Sequence, residues 1–72
     1  MALHKRSVSL HGHRTSVALE PEFWEVIDSA VNAEKRSLAS LIAEIDDTRD
    51  PDEPLSSAIR VWVLKRAQSS HH

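Results

Sequence analysis

Polar and apolar residues alternate along the stretch RTSVAL, which is typical of a β-strand with one buried face. Thr15, Val17 and Leu19 form the apolar side of this strand, and Arg14, Ser16 and Ala18 form the other. A second alternating stretch, SVSL, precedes it, and His11, Gly12 and His13 separate the two. Gly12 could supply a hairpin turn or a bulge in one longer strand, and the sequence leaves both alternatives open.

The hydrophobic period becomes helical after this strand. Pro21 suits the first turn of a helix, and apolar residues from Phe23 onwards recur at helical spacing, which predicts a helix to about Ala33. After the polar run AEKR, Ser37 is expected to cap a second, shorter helix that ends by Asp47.

The stretch DDTRDPDEP combines acidic residues with prolines and is expected to be a loop. Ser56 or Ser57 then caps a predicted third helix that ends near Ala67. We therefore divide the chain into residues 1–12, a flexible basic arm or an extra short strand, residues 13–67, the folded domain, and a tail at 68–72.

A chain of 72 residues without cysteine buries a thin core and has no disulfides, so association with a second copy is expected. A lone strand also leaves backbone groups unpaired, and the simplest remedy is antiparallel pairing with the same strand of a second chain. The side chains expected in the core of such a homodimer are Val17, Leu19, Trp24, Ile27, Leu41, Ile42, Ile45 and Trp62.

The charged residues are distributed unevenly. The formal net charge is −2, but residues 1–19 contain Lys5, Arg6 and Arg14 and no acid, whereas residues 20–53 contain all eleven acids. A ligand close to the N-terminal segment therefore meets positive charge despite the acidic total. No apolar run has the roughly 20 residues of a membrane span, and no secretory signal is evident, which suggests a cytoplasmic protein that does not bind membranes.

Enzymatic chemistry has almost no support in the sequence. There is no cysteine, no Gly-rich phosphate loop and no candidate catalytic constellation, so we expect neither catalysis nor a cofactor. His11 and His13 suggest a metal site, but no matching histidine or carboxylate pair is evident elsewhere, and we expect no metal.

The stretch RTSVALEPEFWEVI, followed by RSLASLIAEI, resembles a ribbon-helix-helix DNA-binding domain, the class of the MetJ and Arc repressors. The later LSSAIRVWVL resembles a bacterial subgroup that carries a further C-terminal helix. The resemblance implies a mainly α fold with one short strand per chain. It also implies an intertwined homodimer whose two strands pair as an antiparallel ribbon that enters the DNA major groove.

The resemblance also implies a function, that of a sequence-specific transcriptional regulator, a repressor, with double-stranded DNA as its partner. The outward strand residues would contact base edges: Arg14, Ser16 and Ala18. Ser37 and Leu38, at the start of the second helix, would bind a DNA phosphate, and the basic N-terminal segment offers further phosphate contacts through Lys5, Arg6 and His13.

Two other functions remain open. One is the antitoxin half of a toxin-antitoxin pair, and the other is a dimeric protein-interaction module that has lost DNA binding. The acidic total and the apolar Ala18 are consistent with the second.

Overall fold

The computed structural model describes residues 2–69, which form a hairpin followed by three helices. The elements are β1 (His4–Leu10), β2 (His13–Leu19), α1 (Pro21–Glu34), α2 (Leu38–Thr48) and α3 (Leu55–Ser69). The expected tail at 68–72 is therefore helical up to Ser69, and its last three positions lie outside the described residues.

The two strands pair with each other inside one chain. β1 and β2 are antiparallel, and Leu10 faces His13 across a two-residue turn. Both turn residues have positive φ, 51° at His11 and 82° at Gly12, as a tight hairpin of the mirror-image type requires. The hairpin alternative for Gly12 is therefore correct. Of the two alternatives for residues 1–12, the extra strand is the one observed, at residues 4–10, and the expected single strand per chain is corrected to two.

The first two helices follow their sequence signals closely. Pro21 lies in the first turn of α1, and Lys35 ends that helix in the left-handed conformation. The side chain of Ser37 caps α2 by accepting a hydrogen bond from the Ser40 N–H at 3.1 Å. Both observed ends lie within a residue of the predicted ones.

The third helix begins earlier than predicted. It starts at Leu55, where the N–H of Ala58 donates to the Pro54 carbonyl at 3.1 Å. The predicted serine cap is therefore wrong, since Ser56 and Ser57 both lie inside the helix. Pro54 directly precedes the first helical residue, where its missing N–H removes no helical hydrogen bond.

One hydrophobic core joins the hairpin to all three helices. Leu19, Ile27, Leu41, Ile42 and Ile59 are fully buried. β1 contributes two further buried side chains, Val8 and Leu10, and α3 contributes Ala58 and Val63 in addition to Ile59. The core of a single chain is thus covered by its own elements.

Because these side chains are buried within one chain, the expected core of the dimer is corrected. Of the eight side chains assigned to a dimer interface, seven are buried inside the single chain, and only Trp62 is half-buried. The reason is that β1 and α3, whose packing the sequence pattern left open, supply the apolar cover that was expected from a second copy. These seven side chains are thus buried without a contribution from a second copy.

Candidate nucleic-acid interface

The side of the hairpin that points away from the helices carries six short or basic side chains, and we call it the outer face. Its members are paired across the strands as Lys5 with Ala18, Ser7 with Ser16, and Ser9 with Arg14. All six are exposed except Ala18, which is half-buried, and none is acidic. The strand alternation therefore separates a polar face from the buried one.

The two cations of the outer face lie at opposite corners. Lys5 is near the start of β1, and Arg14 is four positions away along the ladder, opposite Ser9 on β2. Four residues of strand span roughly 13 Å, so the backbones of the two residues are about that far apart along the ladder, with the Ser7–Ser16 pair between them. Small hydroxyl side chains in the centre allow another surface to approach the backbone closely.

Arg14 on the outer face differs from the other arginines in its ion pairing. Five arginines form ion pairs: Arg6 with Asp28, Arg36 with Glu34 and Glu44, Arg49 with Asp46, Arg60 with Glu20, and Arg66 with Glu34. Within residues 2–69, neither Arg14 nor Lys5 has a carboxylate partner. Their charges are therefore available to an external anion.

Arg6, which was predicted to contact phosphate, lies on the opposite side of the hairpin. Its guanidinium donates two hydrogen bonds to Asp28, at 2.8 and 3.0 Å, and lies 4.4 Å from the centre of the Trp24 ring. Hydrogen bonding to Asp28 raises the pKa of Arg6 above its ordinary value, and the same bond lowers the pKa of Asp28. Strand alternation directs Arg6 towards α1, so the outer face excludes it.

Trp24 ties the hairpin to α1 at the same place. The indole is buried, and its Nε1–H donates to the backbone carbonyl of His4 at 2.8 Å. A buried indole requires such a partner, and here the partner is the first residue of β1. A partly buried hydrogen bond thus helps to fix the orientation of the outer face relative to the helices.

The remaining predicted contacts lie elsewhere. Ser37 and Leu38 begin α2, where backbone N–H groups and the positive end of the helix dipole are available. His13 is exposed beside the turn, but alternation places it on the helix-facing side of β2. Sequence reasoning missed Ser7 and Ser9, although the alternation in SVSL identifies them once the hairpin is known.

The edge of β2 that does not face β1 borders an open groove. Ser16, Val17 and Ala18 line this groove together with Leu3 and residues at the start of α3. A second, almost entirely apolar groove of about 400 Å³ lies between α1 and α3, and Arg60 lines both. The three exposed large apolar side chains found in residues 2–69 line these grooves: Leu3, Val61 and Leu64.

A comparison with protein families places this architecture in a known class. The model of the ribbon-helix-helix domain matches residues 3–67, which is nearly the whole chain, and the chain therefore belongs to that family. Proteins of this class are typically DNA-binding regulators or antitoxins, generally form dimers and are generally not enzymes.

The family match confirms the resemblance drawn from the sequence and the mainly α fold with a third helix. No curated protein and no solved structure matches the chain. None of the helices in the described part of the chain is both long and apolar enough to span a membrane.

Proposed function

We propose that the protein is a homodimeric, sequence-specific transcriptional regulator, a repressor that acts in the bacterial cytoplasm and contacts the major groove of DNA through the outer face of its hairpin. The observation that supports this best is the outer face itself. It combines two unpaired cations with small hydroxyl side chains in a molecule whose other arginines are ion-paired within the described chain.

The open edge of β2 is the proposed site of dimerisation. In a two-residue hairpin the residues beside the turn exchange hydrogen bonds, and every second pair does the same. The backbone groups of Arg14, Ser16 and Ala18 therefore point away from β1, towards the open edge. Pairing of β2 with β2 of a second copy would satisfy them and give a four-stranded sheet with β1 at each margin.

The exposed apolar residues favour the same side of the molecule for dimerisation. Leu3 lines the same groove as residues of β2, and Val61 and Leu64 lie in the groove that shares Arg60 with it. A second copy that approaches this edge would shield these side chains from water, which adds a hydrophobic contribution to the backbone pairing.

In this dimer the two central strands would form the DNA-reading ribbon. The major groove of B-form DNA is about 12 Å wide and accommodates two strands but not four. Arg14 can donate two hydrogen bonds to guanine, Ser16 can bond either base, and Ala18 can contact a thymine methyl group. Sequence discrimination would therefore depend mainly on Arg14.

The marginal strands would lie above the walls of the groove. β1 is one strand spacing, about 4.8 Å, outside β2, so Lys5 is suited to a phosphate contact and not to a base contact. The start of α2 at Ser37 and Leu38 offers a further phosphate site through its free N–H groups. These contacts would position the ribbon without reading sequence.

Two measurements test the proposal. Selection of bound duplexes from a random DNA pool should enrich a short repeated site, and light scattering should give the mass of a dimer. A pool without enrichment, even at low salt where phosphate contacts strengthen, would reject DNA recognition. If the protein binds DNA with the mass of a monomer, pairing through β2 is rejected. The hairpin of a single chain would then be the DNA-reading ribbon.

A protein partner is the second candidate, as expected for an antitoxin or an interaction module. The apolar groove lined by Phe23, Val26, Val61 and Leu64 favours it, because such a groove can receive an apolar helix. Co-expression with the product of the adjacent gene and isolation of a stoichiometric complex would support this function. Replacement of Leu64 by Glu should then abolish the complex.

A further inference from the structure

Three potential metal ligands converge where the tip of the hairpin meets the end of α2. The Nε2 atom of His11 lies 3.1 Å from an Asp47 carboxylate oxygen and 3.6 Å from an oxygen of Asp46. His11, Asp46 and Asp47 each offer a ligand atom within 4.8 Å of the others. The carboxylate pair that the sequence did not associate with His11 is thus supplied by the fold.

The two separations between the imidazole and the carboxylates agree with those around a small metal ion. Two ligands that each lie about 2.1 Å from a tetrahedral zinc ion are roughly 3.4 Å apart. The two distances from the imidazole nitrogen, 3.1 and 3.6 Å, are close to this separation. Asp47 is 63% exposed, so its side chain is free to complete the geometry.

Asp46 is already oriented towards the imidazole. Its Oδ1 atom accepts a hydrogen bond from Arg49 Nε at 2.7 Å, and its Oδ2 atom is the one that faces His11. Arg49 in turn donates to the Glu53 carbonyl at 2.7 Å. Metal-binding side chains are commonly held by such supporting hydrogen bonds, which reduce the cost of ordering them.

The local field also favours a cation. Asp46 and Asp47 occupy the last turn of α2, where the helix dipole is negative, and that turn contains no basic residue. Arg49 already lies beside Asp46, whereas within residues 2–69 His11 is the only basic side chain at ion-pair distance from Asp47. His11 adopts φ 51° at a turn position where Gly or Asn is preferred, and this conformation brings its ring to the carboxylates.

We propose that His11, Asp46 and Asp47 bind one divalent transition-metal ion and thereby join the hairpin tip to the end of α2. Imidazole together with carboxylates favours Zn²⁺ over Mg²⁺, and the exposed position leaves a coordination site for water. The site does not depend on the proposed DNA binding, and it is tested without DNA.

Calorimetric titration of the full-length protein with Zn²⁺ tests the site, and thermal unfolding with and without the ion provides a second reading. We expect one saturable ion per chain and a higher melting temperature in its presence. His11→Asn should weaken Zn²⁺ binding at least tenfold. Loss of a side chain that only supports a metal ligand already weakens binding by about tenfold or more, so loss of a ligand should weaken it no less. Asparagine tolerates the left-handed conformation, so the turn should persist.

Matched variants distinguish this site from other histidines. His13→Asn alters the neighbouring exposed histidine and should leave Zn²⁺ binding unchanged, whereas Asp47→Asn should weaken it without altering the turn. Replacement of both His71 and His72 by Ala should also leave it unchanged.

Three results would overturn the proposal. These are Zn²⁺ affinity that survives both His11→Asn and Asp47→Asn, affinity that disappears with His71 and His72, and Mg²⁺ binding as tight as Zn²⁺ binding. The last would mean that a plain acidic cluster attracts any cation. Saturable Zn²⁺ binding that both ligand variants weaken and both histidine controls retain would establish the site.

Discussion

The two faces of the hairpin use an arginine in opposite ways. On the side of the hairpin that faces the helices, which we call the inner face, Arg6 is stacked on Trp24 and ion-paired with Asp28. Its charge is therefore compensated within the chain. On the outer face, Arg14 is exposed and has no carboxylate partner among the described residues. The same residue type thus contributes to the fold on one face and remains available to a ligand on the other.

The comparison shows that net charge is a poor guide to the partner of a small protein. The chain is acidic overall, yet most of its arginines are ion-paired with its own acids. What an anion would encounter is determined by the cations that remain unpaired, and two of them share the outer face, Lys5 and Arg14. If the two faces differ in this way, substitutions on them should have unlike effects on stability and on DNA binding.

The largest expected effect is the loss of stability when a buried side chain on the inner face is shortened. Leu19 is fully buried, so Leu19→Ala should lower the free energy of unfolding by about 2–5 kcal/mol. Ser16→Ala on the outer face should change it by less than about 0.5 kcal/mol. Urea unfolding followed by tryptophan fluorescence measures both, and similar losses would mean that the faces are not distinct.

A second test addresses the connection between β1 and α1. Trp24→Phe removes the hydrogen bond to the His4 carbonyl and should cost roughly 1–3 kcal/mol of unfolding free energy. Trp62 is half-buried, and its indole N–H has no hydrogen bond in residues 2–69, so Trp62→Phe should cost less. The reverse order would show that Trp24 does not anchor the hairpin.

A third test concerns the outer face and DNA. Lys5→Ala should reduce the slope of log affinity against log salt by about 0.9 for each DNA phosphate that the lysine neutralises in the wild-type protein, with little change in base preference. Lys65→Ala removes the same charge from α3 and should leave the slope unchanged. Equal slopes for the two variants would exclude Lys5 from the interface.

The smallest effect is the pH dependence of the inner-face ion pair. Hydrogen bonding to Arg6 lowers the pKa of Asp28, so the pair stabilises the fold above the ordinary aspartate pKa of about 3.9. This contribution is lost as the pH falls through the lowered pKa. Because Asp28 is 51% exposed, solvent screening limits it to about 1 kcal/mol or less.

Urea unfolding between pH 6 and pH 2 measures this effect. The difference in unfolding free energy between the wild-type protein and Asp28→Asn should shrink as the pH falls below about 4. Asp52→Asn, at an exposed aspartate without an ion pair in the described chain, is the control. A difference that is constant with pH would exclude a stabilising role for the pair.

The helices were predictable because their signals are local. Pro21, the helical spacing of apolar residues and the Ser37 cap act within a few positions of one another, and they predict α1 and α2 nearly to the residue. The start of α3 was not predictable, because two serines and Pro54 all offered acceptable first turns. The family was recognised from this same order of strand and helices.

The hairpin and the ion pair between Arg6 and Asp28 were not predictable from the sequence, because both depend on long-range contacts. Gly12 permits a turn, but His11 must also adopt a positive φ, which is uncommon for any residue other than glycine even though histidine is one of the types enriched there. The pairing of Arg6 with Asp28 spans 22 positions, so spacing could not separate it from an unpaired basic arm. The outward positions of β2 followed from alternation alone, whereas those of β1 required the register.

The outer face is tested most directly by the affinity of Arg14→Ala for a duplex enriched from the random pool, measured by fluorescence anisotropy beside Lys65→Ala. We expect Arg14→Ala to lose about 1–3 kcal/mol of binding free energy and its preference at the contacted base, with an unchanged free energy of unfolding. Lys65→Ala should bind like the wild-type protein. Unchanged affinity and base preference in Arg14→Ala would contradict the assignment of the hairpin's outer face as the DNA-reading surface.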